Sequence, residues 1–162
     1  MYLRLSSKYK TIDELQKLKL EWNDEGLKCV FTNGCFDILH EGHVRYLEEA
    51  RLLGDKLIVG INGDQSVRRL KGPTRPINFQ QSRAIVLSAL QSVDAVIIFE
   101  EDTPENLIQK INPEVLVKGG DWKVDQIVGA DHVLNMGGQV FSLTFHQGFS
   151  TSLIVQKMKS EK

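Results

Sequence analysis

The chain has 162 residues, 41% of them hydrophobic, which suits one globular domain around a single core. Twenty basic against twenty-one acidic residues leave a net charge of −1, so there is no bulk attraction to nucleic acid or to an anionic membrane. No stretch approaches the roughly 20 apolar residues of a membrane span, and the opening residues lack the apolar core of a secretion signal. The two cysteines, Cys29 and Cys35, form no CxxC pair, and the expectation is a reduced, cytoplasmic protein.

Thr11 with Glu14 three residues on is a capping-box pattern, and Ile12, Leu15, Leu18 and Trp22 follow helical steps. They predict a leading helix at about 11–25, packed outside the core, with Trp22 as a core or subunit contact rather than a ligand site. Residues 26–33 read as a first strand, 42–53 as a helix and 55–62 as a second strand whose unbroken apolar run suits burial on both faces. Residues 63–78 hold two prolines and several basic side chains, and read as a mobile basic loop with at most a short helix. A helix at 79–90 and a buried strand at 94–99 follow. Thr103 is the expected N-cap of the next helix, with Pro104 in its first turn and Pro113 as its stop. Residues 114–121 form a fourth strand ending in two glycines, and 132–143 read as a short strand, a Gly137-Gly138 turn and another strand. A last helix covers 150–158, capped by a hydroxyl residue.

Strands alternating with helices predict βαβ units in an α/β fold, a Rossmann-like, doubly wound, mostly parallel sheet in three α/β/α layers. Ligands in such sheets sit at the carboxyl ends of the strands. Three predicted strand ends carry polar, glycine-bearing turns: Asn33-Gly34, Asn62-Gly63 and Gly119-Gly120. They should converge on one cleft.

The first of these turns runs on into "TNGCFDILHEGH", with His40, Gly42 and His43 where the strand passes to a helix. A zinc protease needs HExxH, with histidines four apart on a helix; here they are three apart across a glycine. No GxGxxG dinucleotide fingerprint occurs. Ordinary loop and helix-start residues are the bland alternative. Phosphate binding fits best physically: the helix N-terminus favours an anion, glycine allows close approach, and two imidazoles can donate hydrogen bonds to polyphosphate oxygens.

The dodecapeptide resembles the G-x-F-D-x-x-H-x-G-H signature of the cytidylyltransferase-like nucleotidyltransferases. "VKGGDW" (117–122) is similar to that family's K-G-(G/D)-D turn, and "GFSTS" (148–152) to the G-x-S-T-(T/S) that opens its last helix. The three occur in the family's order, and the similarity covers nearly the whole chain. Within the family, "RRLKGPTRPIN", "SVDAVIIFEEDTPENLI" and "LVKGGDW" resemble the heptose 1-phosphate adenylyltransferases. Phe145 and His146 stand where relatives acting on glycerol 3-phosphate or phosphocholine carry arginine and threonine, which argues for the heptose branch. Lys157 lies where other members carry an arginine.

The resemblance implies transfer of AMP from ATP, with Mg2+, to D-glycero-β-D-manno-heptose 1-phosphate, releasing pyrophosphate. His40, His43 and Lys71 are the implied catalytic residues. Thr32, Asn33, Gly34, Cys35, Phe36, Asp37 and Gly42, then Lys118, Gly119, Gly120, Asp121 and Trp122, then Ser150, Thr151 and Ser152, are expected around the nucleotide. Asp37, Asp64, Arg75 and Arg83 are expected at the acceptor; Cys35 also has a plain packing role. The sequence identifies no metal ligands. A homo-oligomer is expected, without nucleic-acid or membrane partners. Glycerol-3-phosphate cytidylyltransferase or FAD synthetase chemistry is the alternative within the family; a non-catalytic nucleotide-binding module and a metal-dependent hydrolase are the alternatives outside it.

Overall fold

The structure is a computed structural model that describes residues 7–144 and 148–160. Its described strands form one five-stranded parallel sheet in the order β3-β2-β1-β4-β5. They are β1 (Cys29–Gly34), β2 (Lys56–Asn62), β3 (Ala95–Phe99), β4 (Val115–Gly119) and β5 (Gln139–Leu143). The described α-helices are α1 (Ile12–Asp24), α2 (Glu41–Arg51), α3 (Asp64–Lys71), α4 (Gln80–Ser88), α5 (Glu105–Ile111), α6 (Ala130–Asn135) and α7 (Thr151–Ser160). None of them is long and apolar enough to cross a membrane.

The alternation of side chains along each strand builds two cores. Cys29 and Phe31 of β1, Ile58 of β2, Ala95 and Ile97 of β3 and Leu116 of β4 pack with Leu15 and Trp22 of α1, Ile108 of α5 and Val133 of α6. Val30, Leu57, Val59, Val96 and Val117 face the other way, onto Tyr46, Leu47 and Ala50 of α2 and Ala84 and Leu87 of α4. Apolar residues on both faces are what a parallel sheet between two helical layers requires. The three-layer α/β/α expectation therefore holds.

Four local expectations need correcting. The N-cap of α5 is Pro104 rather than Thr103. Helix α1 is not outside the core: Leu15 is fully buried, and Lys19 lies beneath it, bonded to Glu114, whose other oxygen accepts from the Cys29 N–H. The first half of the expected basic loop is the ordered helix α3. The short strand expected at 132–135 is part of α6, because β4 and β5 are parallel and their connection must cross over a face of the sheet.

The strand order places the site. From β1 the chain winds outward through β2 and β3, then returns to add β4 on the other side of β1. The carboxyl ends of β1 and β4 thus flank the point where the winding reverses, the usual crevice for a ligand.

Candidate nucleotide-binding site

The β1–α2 turn begins in strained backbone. Phe36 has φ 46°, in the left-handed region that side chains rarely adopt, and its ring is buried. That ring lies over Gly34, where a Cβ would come within 2.9 Å of it. It also meets the His43 imidazole edge-on, 5.2 Å between centroids. His40 stacks on His43, at 3.7 Å and 19°.

His40 is the N-cap of α2 but makes no side-chain cap hydrogen bond. The Nδ1 atoms of both histidines are buried without a hydrogen-bond partner. Burial, and then the neighbouring His40, push His43 down to about 4; burial also lowers His40. Both rings are therefore neutral at pH 7, each with one N–H to donate.

A cavity of about 200 Å³ opens here, lined by His40, Gly42, His43, Tyr46, Phe149, Ser150 and Thr151. Two helix N-termini meet at it, those of α2 and α7. Phe149 runs nearly parallel to His40, with centroids 6.4 Å apart. A Cβ on Gly42 would come within 2.9 Å of the Phe149 Cβ, so the missing side chain at 42 lets the 148–150 turn dock on α2. Ser150 caps α7 by accepting from the Leu153 N–H at 3.1 Å, and Thr151 donates to the Ile38 carbonyl at 3.4 Å. Ser152 is exposed, as is Lys157 further along α7. Phe145 and His146 lie outside the described residues.

On the other side of the turn, Lys71 ends α3, exposed to solvent. Burial raises the Cys35 thiol's pKa, while the charges of Lys71, Arg83 and Lys118 act against that rise. Burial, followed by the charge of Lys71 among its causes, lowers the pKa of Lys118. The fold thus brings Lys71 and Lys118 to the same strand ends as the motif. Asn33 and Gly34 are half-buried there, and Cys35 Sγ lies 3.9 Å from the Asn62 side-chain oxygen.

Several expected ligands are engaged by the protein itself. The Thr32 hydroxyl shares a 2.5 Å hydrogen bond with Tyr46 inside the core. The Gly120 N–H, at φ 112°, donates to the Leu143 carbonyl rather than standing open to a nucleoside. Trp122 lies across this turn, its indole N–H on the Gly119 carbonyl at 3.1 Å, with the ring half-exposed; Asp121 is exposed. Arg83 is wholly buried: Nε donates to Asn78 O, Nη1 to Cys35 O and Nη2 to Asp64 Oδ1, at 3.0, 2.6 and 2.8 Å. With Asp64 it ties these loops together, and it lines a second, smaller cavity beside Asp37 and Asn78. Asp37 is buried and engaged with residues 75–78; Arg75 keeps about a fifth of its side chain exposed.

Sequence reasoning missed Tyr46 and Phe149 as cavity walls. Tyr46 was legible one helical turn after His43, and Phe149 stood inside "GFSTS".

A family model described as Cytidylyltransferase-like matches residues 31–157. The chain is 54% identical over 147 residues to the Bifunctional protein HldE of Wolinella succinogenes, and 55% identical over 150 residues to that of Haemophilus ducreyi. These alignments take in 91% and 93% of this chain but 30% and 32% of the relatives, so the chain spans about a third of their length. Among solved structures, a lipopolysaccharide core biosynthesis protein from Thermoplasma volcanium matches with TM-score 0.61 and 32% identity, over 75% of this chain and 98% of that one. A pantoate-beta-alanine ligase from Francisella tularensis shares the fold at TM-score 0.58 and 14% identity, over 86% of this chain and 67% of its own. The family match spans most of the chain, and its histidine turn sits where the sheet reverses: this chain belongs to the cytidylyltransferase-like family.

Proposed function

We propose that this chain is an adenylyltransferase that transfers AMP from ATP to D-glycero-β-D-manno-heptose 1-phosphate, releasing pyrophosphate and forming ADP-heptose. The observation that carries the chemistry is the pair of stacked, neutral histidines, each with an unpartnered Nδ1, at a cavity where two helix N-termini meet. Buried polar atoms without partners are uncommon enough to ask for a ligand, and this setting favours a polyphosphate. The choice of acceptor rests on identity above 50% to relatives named HldE, and on the heptose-type stretches of the sequence.

An oxygen of the sugar phosphate attacks the α-phosphorus of ATP, a new P–O bond forms, and the bond to the β-phosphate oxygen breaks. A phosphomonoester with a second pKa of about 6 is already largely dianionic at neutral pH, so no general base is required. The protein's work is alignment and stabilisation of charge on the α-phosphate and leaving pyrophosphate. His40 and His43 donate hydrogen bonds there, Lys71 and Lys118 supply positive charge, and Ser150 and Thr151 present the start of α7. Magnesium is proposed to enter as MgATP, carried by the triphosphate; among the described residues no group of three or more His, Cys, Asp or Glu side chains is placed to hold a metal. The enzyme is proposed to act in the cytoplasm as a homo-oligomer, without a nucleic-acid partner.

The test is pyrophosphate release with ATP or CTP crossed against both anomers of heptose 1-phosphate and glycerol 3-phosphate. Turnover with ATP and the β anomer alone is expected. Turnover with CTP and glycerol 3-phosphate instead would overturn the acceptor and base assignments and leave the phosphate site standing.

A further inference from the structure

Asp37 lies inside the motif, three residues before His40, and a carboxylate there invites a role as a ligand for metal or substrate. The structure assigns it another. Only 5% of Asp37 is exposed, and both of its oxygens lie against residues 75–78. Oδ1 accepts from the backbone N–H groups of Ile77 and Asn78, at 2.7 and 2.9 Å. Oδ2 lies 2.8 Å from Arg75 Nη1. The Asp37 carbonyl accepts from Asn78 Nδ2 at 2.6 Å. Every one of these contacts goes to residues 75–78. Arg83 ties the same two segments a second time, through Cys35 O and Asn78 O.

The contact with Arg75 differs in kind from the others. The two charged atoms touch, yet neither makes an aligned hydrogen bond. Charge holds Arg75 in place, while its Nη1 makes no directional hydrogen bond. An incoming dianionic phosphate can compete for such a group, because bidentate guanidinium–phosphate bonding is strong and directional.

We propose that Asp37 is a positioning residue: it fixes the 75–78 segment against the β1–α2 turn and holds Arg75 ready for the phosphate of the acceptor. The part concerning the acceptor rests on the adenylyltransferase reading; the part concerning the segment does not.

Two variants of the full chain separate this from a ligand role. In Asp37→Ala, hydrogen exchange followed by NMR without substrate should be about tenfold faster at the Ile77 and Asn78 amides, the scale of a lost hydrogen bond to a charged group, with strand amides of β1 and β2 unchanged. Asp37→Asn keeps an oxygen acceptor but loses the charge, so these two amides should stay near wild-type protection. In steady-state assays both variants should raise the acceptor KM about tenfold, as expected for losing one charged contact, with the ATP KM and the Mg2+ concentration for half-maximal rate unchanged. Unchanged Ile77 and Asn78 exchange in Asp37→Ala would overturn the proposal. So would a rise in the Mg2+ requirement with the acceptor KM unmoved, which is the signature of a metal ligand. Lack of turnover in the wild-type protein would sink the reaction assignment, and the exchange experiment would still decide whether Asp37 holds the segment.

Discussion

His43 meets Phe36 in a T-shaped contact and stacks on His40, and its charged form is disfavoured by burial first and by His40 second. An NMR titration should place its midpoint near 4. The sign for stability follows from linkage. The folded value lies below the ordinary 6.5, so the unfolded chain binds the proton more readily. Acidification from about 6.5 towards 4 therefore favours unfolding, and above that window the group is silent. Thermal melts should show this chain losing stability between pH 7 and pH 5, and His43→Gln losing less. In pyrophosphate-release assays His43→Ala should lower kcat by about 10²–10³, as for loss of one preorganised donor; an unchanged kcat would remove the histidine from the proposed chemistry. At this scale the histidines were legible because their chemistry is written in one contiguous string. The contacts of Asp37 with Ile77 and Asn78 span some forty residues, and no local pattern announces them. The internal partners of Thr32 and Gly120 are hidden from the sequence for the same reason, since Tyr46 and Leu143 come from other elements.

Elements were legible where local chemistry and periodicity agreed. The capping box of α1 is present in full: Thr11 Oγ1 accepts from the Glu14 N–H, and the Glu14 carboxylate accepts from the Thr11 N–H. Thr11→Ala should cost about 1 kcal/mol, which for a domain of this size is a fall in Tm of about 2–4 °C. Residues 132–135 were misread because four residues cannot distinguish a strand from a helix by period; the need for a crossover to a parallel β5 decides it. Gly42 separates local preference from tertiary demand. Alanine in a helix is favoured over glycine by about 1 kcal/mol, so Gly42→Ala should leave Tm unchanged or raise it. The added methyl would meet the Phe149 Cβ at 2.9 Å and the His40 imidazole at 3.2 Å, so the 148–150 turn or the histidine ring must give way. The ATP KM should then rise while Tm does not fall. A variant that binds ATP normally would show that the docking of Phe149 is dispensable.

Across the whole molecule, the sheet brings the ends of β1 and β4 together, and a separate frame joins the loops above them to the core. Arg83 is the centre of that frame. Its three nitrogens reach the β1–α2 turn at Cys35, the 75–78 segment at Asn78 and the start of α3 at Asp64. Its side chain has no exposed surface, so the loss of solvation must be met by these partners. Sequence could identify Arg83 as a cation on a helix, but not which way α4 turns it; burial of Ala84 and Leu87 on the same helix turns it inward. Arg83→Ala would leave the Asp64 carboxylate and two carbonyls without their donor, and removing one partner of a buried pair costs about 3–5 kcal/mol. Urea denaturation should show a loss of that order. Arg83→Lys should recover only part of it, because one ammonium cannot reproduce the planar fork that spans three segments. An arginine that instead contacted the acceptor would leave the urea midpoint in place and raise the acceptor KM. The two outcomes move different observables, so a single variant decides whether Arg83 belongs to the frame or to the ligand.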